Sequence, residues 1–347
     1  MKLNFCTLFN SSYLSRGLLM YQSLERQCKN FHLYVFAFDD TCYEFFKKEN
    51  YPKLTVVSLK EFEDKDLLRI KPGRSAGEYC WTCASSTILY SIETYKLDNC
   101  TYIDADMYFY SDPTILIEEM GNSSVLITEH RFTPEYKESE IYGKYCVQFV
   151  TFKNDAKGME VLRWWRNACI DWCYGRIEDG KFGDQKYLDD WTTRFKGVHE
   201  LQHLGGGIAP WNLQQYSFVN NNGKITGMEK RSGKKFNAVF FHYHGLRFYN
   251  NGVVSLTGND YEMTDDARAL FYFPYVKKLL EVKKQLNNKL PGVNVDGANA
   301  PSPEMPFTLK SSITKYLKDT RQSLGNVFGK SMASKLKHFH YFFYEKI

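Results

Sequence analysis

Thr101–Pro113 reads TYIDADMYFYSDP. An aromatic and β-branched run leads into Asp104-Ala105-Asp106, and a second aromatic run follows, closed by Asp112-Pro113. The first run predicts a strand, and the two aspartates fall where the backbone turns out of a sheet.

Upstream, Leu3 to Phe9 predicts a strand, NSSYLSRG (10–17) a turn, and LLMYQSLERQC (18–28) a helix with apolar residues at helical spacing. FHLYVFAFDD (31–40) predicts a second strand ending in two aspartates, and LTVVSL (54–59) a third, followed by a polar stretch to Gly77. A helix, YCWTCASSTILYSIETYKL (79–97), then precedes the opening stretch. This alternation predicts an α/β fold with a mostly parallel, doubly wound sheet. Ligands of such sheets bind beyond the carboxyl ends of the strands. Asn10 to Tyr13, Asp39 to Asp40 and Asp104 to Asp106 would therefore converge on one crevice.

Downstream, SVLITEH (124–130) and YCVQFVTFKND (145–155) predict strands, and GMEVLRWWRNACIDWCYGRIEDG (158–180) a long amphipathic helix with Trp164, Trp165 and Trp172 toward the core. FGDQKYLDDWTTRF (182–195) predicts the start of another helix, HLGGGIAPWN (203–212) a loop, and NAVFFHYHG (237–245) a late strand ending in histidines and glycine. ALFYFPYVKKLLEVKKQL (269–286) predicts a helix, after which a Pro-, Gly- and Asn-rich stretch reads as a linker. The expected organisation is a catalytic domain over 1–260, a helical extension over 261–290, a linker over 291–308 and a basic amphipathic helical tail over 309–347.

At 347 residues the chain can bury a full-sized core. Nine cysteines, an odd number, suggest reduced thiols in a cytoplasmic setting rather than a disulfide framework. Cys80 with Cys83 and Cys169 with Cys173 read as small apolar core residues rather than zinc pairs. The first residues lack a signal-peptide pattern, and no run of about 18 apolar residues predicts a membrane span. From Leu309 to Ile347 the tail holds eight Lys or Arg against Asp319 and Glu345, a net of +6. The formal +5 of the whole chain therefore resides in the tail. A nearly neutral body whose aromatics do not interleave with basic residues argues against a nucleic-acid partner. The tail has the composition of a helix lying on an anionic membrane surface, or of a basic helix docked on its own domain.

An Asp-x-Asp at a strand end can put one carboxylate on a divalent cation and the other on the metal or a sugar hydroxyl; Mn2+ and Mg2+ favour such hard oxygens and share them with phosphates. His242, ending a late strand, could complete the site. Gly245 would allow close backbone approach to a phosphate, and Arg247 and Arg74 could neutralise a departing diphosphate. Tyr13 could stack on a base, with Thr7, Asn10 and Asp39 on the same nucleotide side. Asp184 and Gln185 could face the reacting sugar carbon, although Asp184 would serve equally as a helix cap. His244 reads as a packing or acceptor-side residue.

The ordered set NSSY (10–13), TYIDADMYFYSDP (101–113), FGDQKYLDDW (182–191), APWN (209–212) and FHYHG (241–245) resembles nucleotide-sugar glycosyltransferases of GT-A fold, particularly glycosyltransferase family 8, the family of glycogenin and a lipopolysaccharide galactosyltransferase. The resemblance implies that Asp104, Asp106 and His242 hold manganese against a nucleotide diphosphate, probed at the ribose by Ala105 and at the base by Tyr13. It further implies that Asp184 and Gln185 flank the sugar and that Trp211 and Asn212 lie on the acceptor side. The expected reaction moves a sugar, with retention, from a UDP-sugar to a glycan or lipid-linked acceptor of surface polysaccharide, at the cytoplasmic face of the membrane. The chain departs from the family pattern at Asn10, where an aspartate is usual, at Gly245-Leu246-Arg247-Phe248, where the family has Gly-x-x-Lys, and at Gln148, where asparagine is expected. Two other readings of the same residues remain: a metal-dependent nucleotide-sugar hydrolase or nucleotidyltransferase, and a non-catalytic glycan-binding protein.

Overall fold

A computed structural model describes residues 2–257, 261–298, 300, 340–344 and 347. The first half follows the predicted alternation: β1 (Leu3–Phe9), α1 (Leu14–Gln27), β2 (Phe31–Ala37), α2 (Asp40–Glu49) and β3 (Leu54–Ser58). Two short helices occupy the polar stretch, α3 (Leu59–Phe62) and α4 (Lys65–Ile70), before α5 (Ala76–Tyr95) and β4 (Asn99–Ile103). Helix α5 begins with a capping box, in which Ser75 and Glu78 each satisfy the other's backbone N–H. There follow β5 (Met107–Phe109), α6 (Thr114–Glu118), β6 (Val125–Glu129), β7 (Tyr145–Lys153), α7 (Ala156–Asp171), α8 (Trp191–Arg194) and β8 (Val198–Glu200).

Seven strands form one sheet in the order β3-β2-β1-β4-β7-β6-β8, with only β7 running against the rest. Successive side chains point to opposite faces, and both faces are buried. Phe5, Leu33 and Val35 join a core with α1, α2 and Phe149. Cys6, Tyr34 and Phe36 join the opposite core with α5, α7 and Phe152. This is the α/β, mostly parallel, doubly wound architecture that the alternation predicts.

Smaller antiparallel sheets extend it. One joins β9 (Tyr216–Asn221), β10 (Lys224–Glu229) and β11 (Lys235–Asn237). A second pairs β12 (Phe240–His242) with β5, and a third joins β13 (Arg247–Phe248), β14 (Val253–Ser255) and β15 (Tyr341–Phe343). Between β14 and β15 lie α9 (Asp265–Ala267), a π turn and α10 (Phe273–Lys289).

Three differences from the sequence expectations stand out. The helix expected over 182–195 is a 3-10 turn, Lys186–Leu188, and the single turn α8. Helix α7 stops at Asp171, since Trp172 turns to extended backbone and donates from its indole to Glu178 Oε1. The helical extension and the start of the linker are packed into the first domain: Tyr275, Leu279, Leu286 and Val295 belong to the core that holds α1. Most of the expected tail helix falls outside the described residues, and Tyr341–Phe343 is a strand, its backbone paired with β14. All nine cysteines are free, Cys80 alone being only partly buried.

Candidate functional site

Strand register builds the site. β4 ends at Ile103, so Asp104 leaves the sheet, its N–H donating to the Gln148 carbonyl at 3.2 Å. β5 resumes at Met107, and its antiparallel partner β12 sets His242 opposite Met107, beside Asp106. The Tyr243 N–H then bonds the Asp106 carbonyl at 3.0 Å. The outcome is that His242 Nε2 lies 3.1 Å from Asp106 Oδ1 and 3.6 Å from Asp104 Oδ2. One donor atom from each of the three residues falls within 4.8 Å of the others.

The donor set fits a divalent cation: two hard carboxylates and one imidazole, with the carboxylates still 29% and 15% accessible while the ring is only 6% accessible. His242 Nδ1 lies 2.8 Å from Gln148 Oε1, an acceptor, which places a proton on Nδ1 and turns Nε2 toward the two carboxylates. Electrostatics matches this arrangement. Burial, offset in part by His242, raises the Asp104 carboxyl to about 6. Burial also works to raise Asp106, but the His242 charge and hydrogen bond outweigh it and hold Asp106 at about 2. His242 itself is raised well above the ordinary imidazole range: burial disfavours its charge, and the two aspartates overcome that.

The three residues line a cavity of about 870 Å³. Of the sequence-predicted residues, Asn10, Tyr13, Arg74, Ala105, Asp184, Gln185, Trp211 and His244 line it as well. Asn10 Oδ1 accepts from the backbone and hydroxyl of Ser12, shaping the turn that presents Tyr13, a ring left 40% exposed. Arg74 lies 3.7 Å over the Tyr174 ring. Asp184 is buried, and burial first, with Asp104 second, raises it to about 8. It caps no helix with its side chain, because the following 3-10 turn has Gln185 at its N-terminal boundary and no side-chain cap. Gln185 Nε2 donates to the Tyr142 carbonyl at 2.9 Å. Trp211 stands edge-on to His242 and His244, 5.5 and 5.6 Å away, and its indole N–H has no hydrogen-bond partner among the described residues. His244, two residues after His242, reaches the same cavity.

Five predicted residues do not line it. Thr7 is fully buried inside β1. Asp39 accepts from Ser11 N and Oγ through Oδ2 and from Cys42 N through Oδ1, so its carboxylate clamps the β1 turn and caps α2. Asn212, placed on the acceptor side by the sequence, is a loop clamp: it accepts from Ala209 N and donates to the His130 and Gly207 carbonyls. Gly245 adopts φ +77° in the tight turn after β12. Arg247 is exposed on β13, near enough to Tyr13 for its charge to act on the phenol.

Sequence reading missed His130, Arg16 and the aromatics Trp81, Phe132, Tyr142 and Phe182, and it noted Gln148 only as a departure from an expected asparagine, not as the partner of His242. In the buried strand YCVQFVTF only Gln148 and Thr151 are polar apart from the tyrosine and cysteine, and Gln148 alone carries an amide, the signal that could have pointed to a buried hydrogen-bonding role. His130 stacks on Phe132 at 4.7 Å, and burial depresses it to about 3, so it is neutral. Arg16, 3% exposed, donates to the Asp296 carbonyl at 2.7 Å and to the Leu246 carbonyl at 3.1 Å, and its guanidinium lies 4.7 Å from the Tyr13 ring centre.

No protein-family model matches the chain. It is 28% identical over 295 residues to the uncharacterized protein YfnD of Bacillus subtilis (strain 168), covering 83% of this chain and 92% of that one. YfnF of the same organism is 29% identical over 251 residues, 70% and 81% of the two chains. Among solved structures it is similar to the galactosyltransferase LgtC in complex with donor and acceptor sugar analogues, at 11% identity and a TM-score of 0.49, over 80% of this chain and 96% of that one.

Proposed function

We propose that the chain is a metal-dependent glycosyltransferase that moves a sugar from a nucleotide diphosphate, a UDP-sugar, to a glycan or lipid-linked acceptor in surface polysaccharide synthesis. The carrying observation is the convergence of Asp104, Asp106 and His242 within 4.8 Å in a cavity whose lining includes both the Asn10–Tyr13 turn and the Asp184–Gln185 pair. A nucleotide-sugar hydrolase would use the same cation and donor contacts but release free sugar without an acceptor, so turnover that requires an acceptor separates the two readings.

Asp104, Asp106 and His242 would hold the cation, Mn2+ or Mg2+, which when bound offsets negative charge on a diphosphate leaving group. Tyr13 presents an exposed ring to the base, held from behind by Arg16. Arg74, in the cavity lining, supplies positive charge toward the phosphates, while Arg247, outside the lining, acts only through its charge near Tyr13. Asp184, held protonated near neutral pH by its burial, donates a hydrogen bond to a sugar hydroxyl rather than taking a proton from the acceptor. The course proposed is retention, in which the acceptor approaches on the leaving-group face with Asp184 and Gln185 on the sugar. With Gln185 Nε2 donated to Tyr142, its Oε1 remains to accept from the sugar.

The experiment is a thermal-shift and turnover series with UDP, GDP, CMP and dTDP and their sugars, with and without manganese. UDP with manganese should raise the melting temperature, and UDP-sugar turnover should need the metal. Absence of any metal-dependent stabilisation by a nucleotide diphosphate would overturn the reading.

A further inference from the structure

Trp81 breaks the pattern of its helix. Its neighbours Thr82 and Cys83 are fully buried, yet the indole is 39% exposed. One side of the ring lies against backbone, since a Cβ on Gly175 or Gly183 would come within 3.5 Å of it. The rest opens into the cavity that holds Asp104 and Asp106. Phe182 stands 6.2 Å from it, centre to centre, and Tyr142, 44% exposed, stands 4.9 Å from Phe182. Three rings from three separate segments thus form one wall.

Exposed aromatic surface is costly unless something covers it. This wall is joined to the chemistry: Phe182 precedes Asp184 by two residues, and the Tyr142 carbonyl holds the Gln185 amide. Its surroundings are polar, with Ser139, Gln185 and Arg74 lining the same cavity. A flat aromatic surface edged by hydrogen-bonding groups matches a pyranose ring, whose C–H face is apolar and whose hydroxyls point outward. An acyl or isoprenoid chain would leave those polar groups unpaired.

We infer that Trp81, Phe182 and Tyr142 are the platform for the terminal sugar ring of the acceptor, so that the acceptor is recognised as a carbohydrate rather than through a lipid. The inference rests on the glycosyltransferase reading and names the acceptor class for that same cavity.

The test uses the full chain with UDP and manganese present. Saturation-transfer NMR and indole fluorescence are recorded with methyl α- and β-glucopyranoside, methyl galactopyranosides and methyl N-acetylglucosaminide, and with farnesyl phosphate as the lipid arm. At least one glycoside should bind saturably. Trp81→Ala and Tyr142→Ala should each weaken it about tenfold or more, while Trp81→Phe should keep most of the affinity. Melting temperatures of the variants separate lost binding from lost folding. The platform is overturned if no glycoside binds although UDP with manganese still stabilises the protein, if binding survives both alanine variants, or if farnesyl phosphate alone binds there. Failure of UDP with manganese to stabilise the protein overturns the donor reading instead, whatever the glycosides do.

Discussion

The two walls of the cavity are built by different physics. The wall from β1, β4 and β5 is regular: backbone ladders carry it, and its functional groups sit where strands end. The wall from residues 130–142 and 201–216 has no strand before Tyr216, only the 3-10 helices Pro134–Tyr142 and Leu213–Gln215, and is stitched by side chains onto backbone carbonyls. Arg131 alone donates to the Leu201, His203 and Gly206 carbonyls. Asn212 ties His130 to Gly207, Gln215 returns to the Arg131 carbonyl, and the Thr133 hydroxyl donates to the Trp211 carbonyl. A regular wall holds charge at fixed points whatever the nearby side chains are. A stitched wall can change its lining freely, but each buried stitch must be satisfied.

The largest effect should come from the regular wall. Asp106→Ala leaves β5 and β12 paired and removes one of the three groups proposed to hold the cation, so UDP-sugar turnover with manganese should fall more than about a thousandfold, several kcal/mol of transition-state stabilisation. Melting temperature without metal should change far less than turnover. If turnover survives, the regular wall is not the chemical one and the contrast collapses.

Asp184 tests the irregular side. Burial raises its carboxyl from 3.8 to about 8, so the native protein holds a proton that the unfolded chain releases above about pH 4. The native state then binds more protons than the unfolded one, and stability must fall as pH rises from about 4 to about 8. Relative to Asp184→Asn, the wild type in EDTA should lose urea-unfolding free energy over that range, by on the order of a few kcal/mol. Parallel profiles would show that the carboxyl is already solvated in the cavity.

Arg16 joins the regular wall to the chain's later segments. Its guanidinium satisfies the Leu246 and Asp296 carbonyls and backs Tyr13. Arg16→Met should cost about 2–3 kcal/mol in urea unfolding through the two carbonyls left unpaired, and should raise KM for the donor more than it lowers kcat. Equal effects on acceptor and donor would mark Arg16 as general scaffolding.

What the sequence made legible follows the same division. Strand ends at Asn10 and Asp104 can be read because alternation of strand and helix has a period. His242 could be matched to the aspartates by motif order, and register then explains the match. Trp81, Tyr142 and His130 escaped because a side chain joined to a distant carbonyl, or a ring exposed from a helix, leaves no periodic trace. Asp39 misled for a related reason: a carboxylate after a strand serves a helix cap as well as a ligand, and only its partners Ser11 and Cys42 decide. The 182–195 segment reads as a helix by composition, but its backbone turns at Gly183, φ +53°, to aim Asp184 inward.

Gln148 sits at the joint between the walls. It belongs to β7, in the regular sheet, yet its amide nitrogen has no partner among the described residues, and a Cβ on Gly207 of the stitched loop would lie 3.2 Å from that nitrogen. Its oxygen holds His242 Nδ1. Gln148→Leu keeps the volume and removes the acceptor, so the imidazole loses the partner that fixes its tautomer and its ring plane. Manganese affinity by isothermal titration should fall about 10- to 100-fold, or about 1.4–2.7 kcal/mol, with little change in the urea midpoint. Gln148→Glu restores an acceptor and should recover most of the affinity, because a carboxylate holds Nδ1–H at least as firmly. If Gln148→Leu left affinity intact, the β5–β12 register alone would fix His242, and the regular wall would need nothing from the loop side.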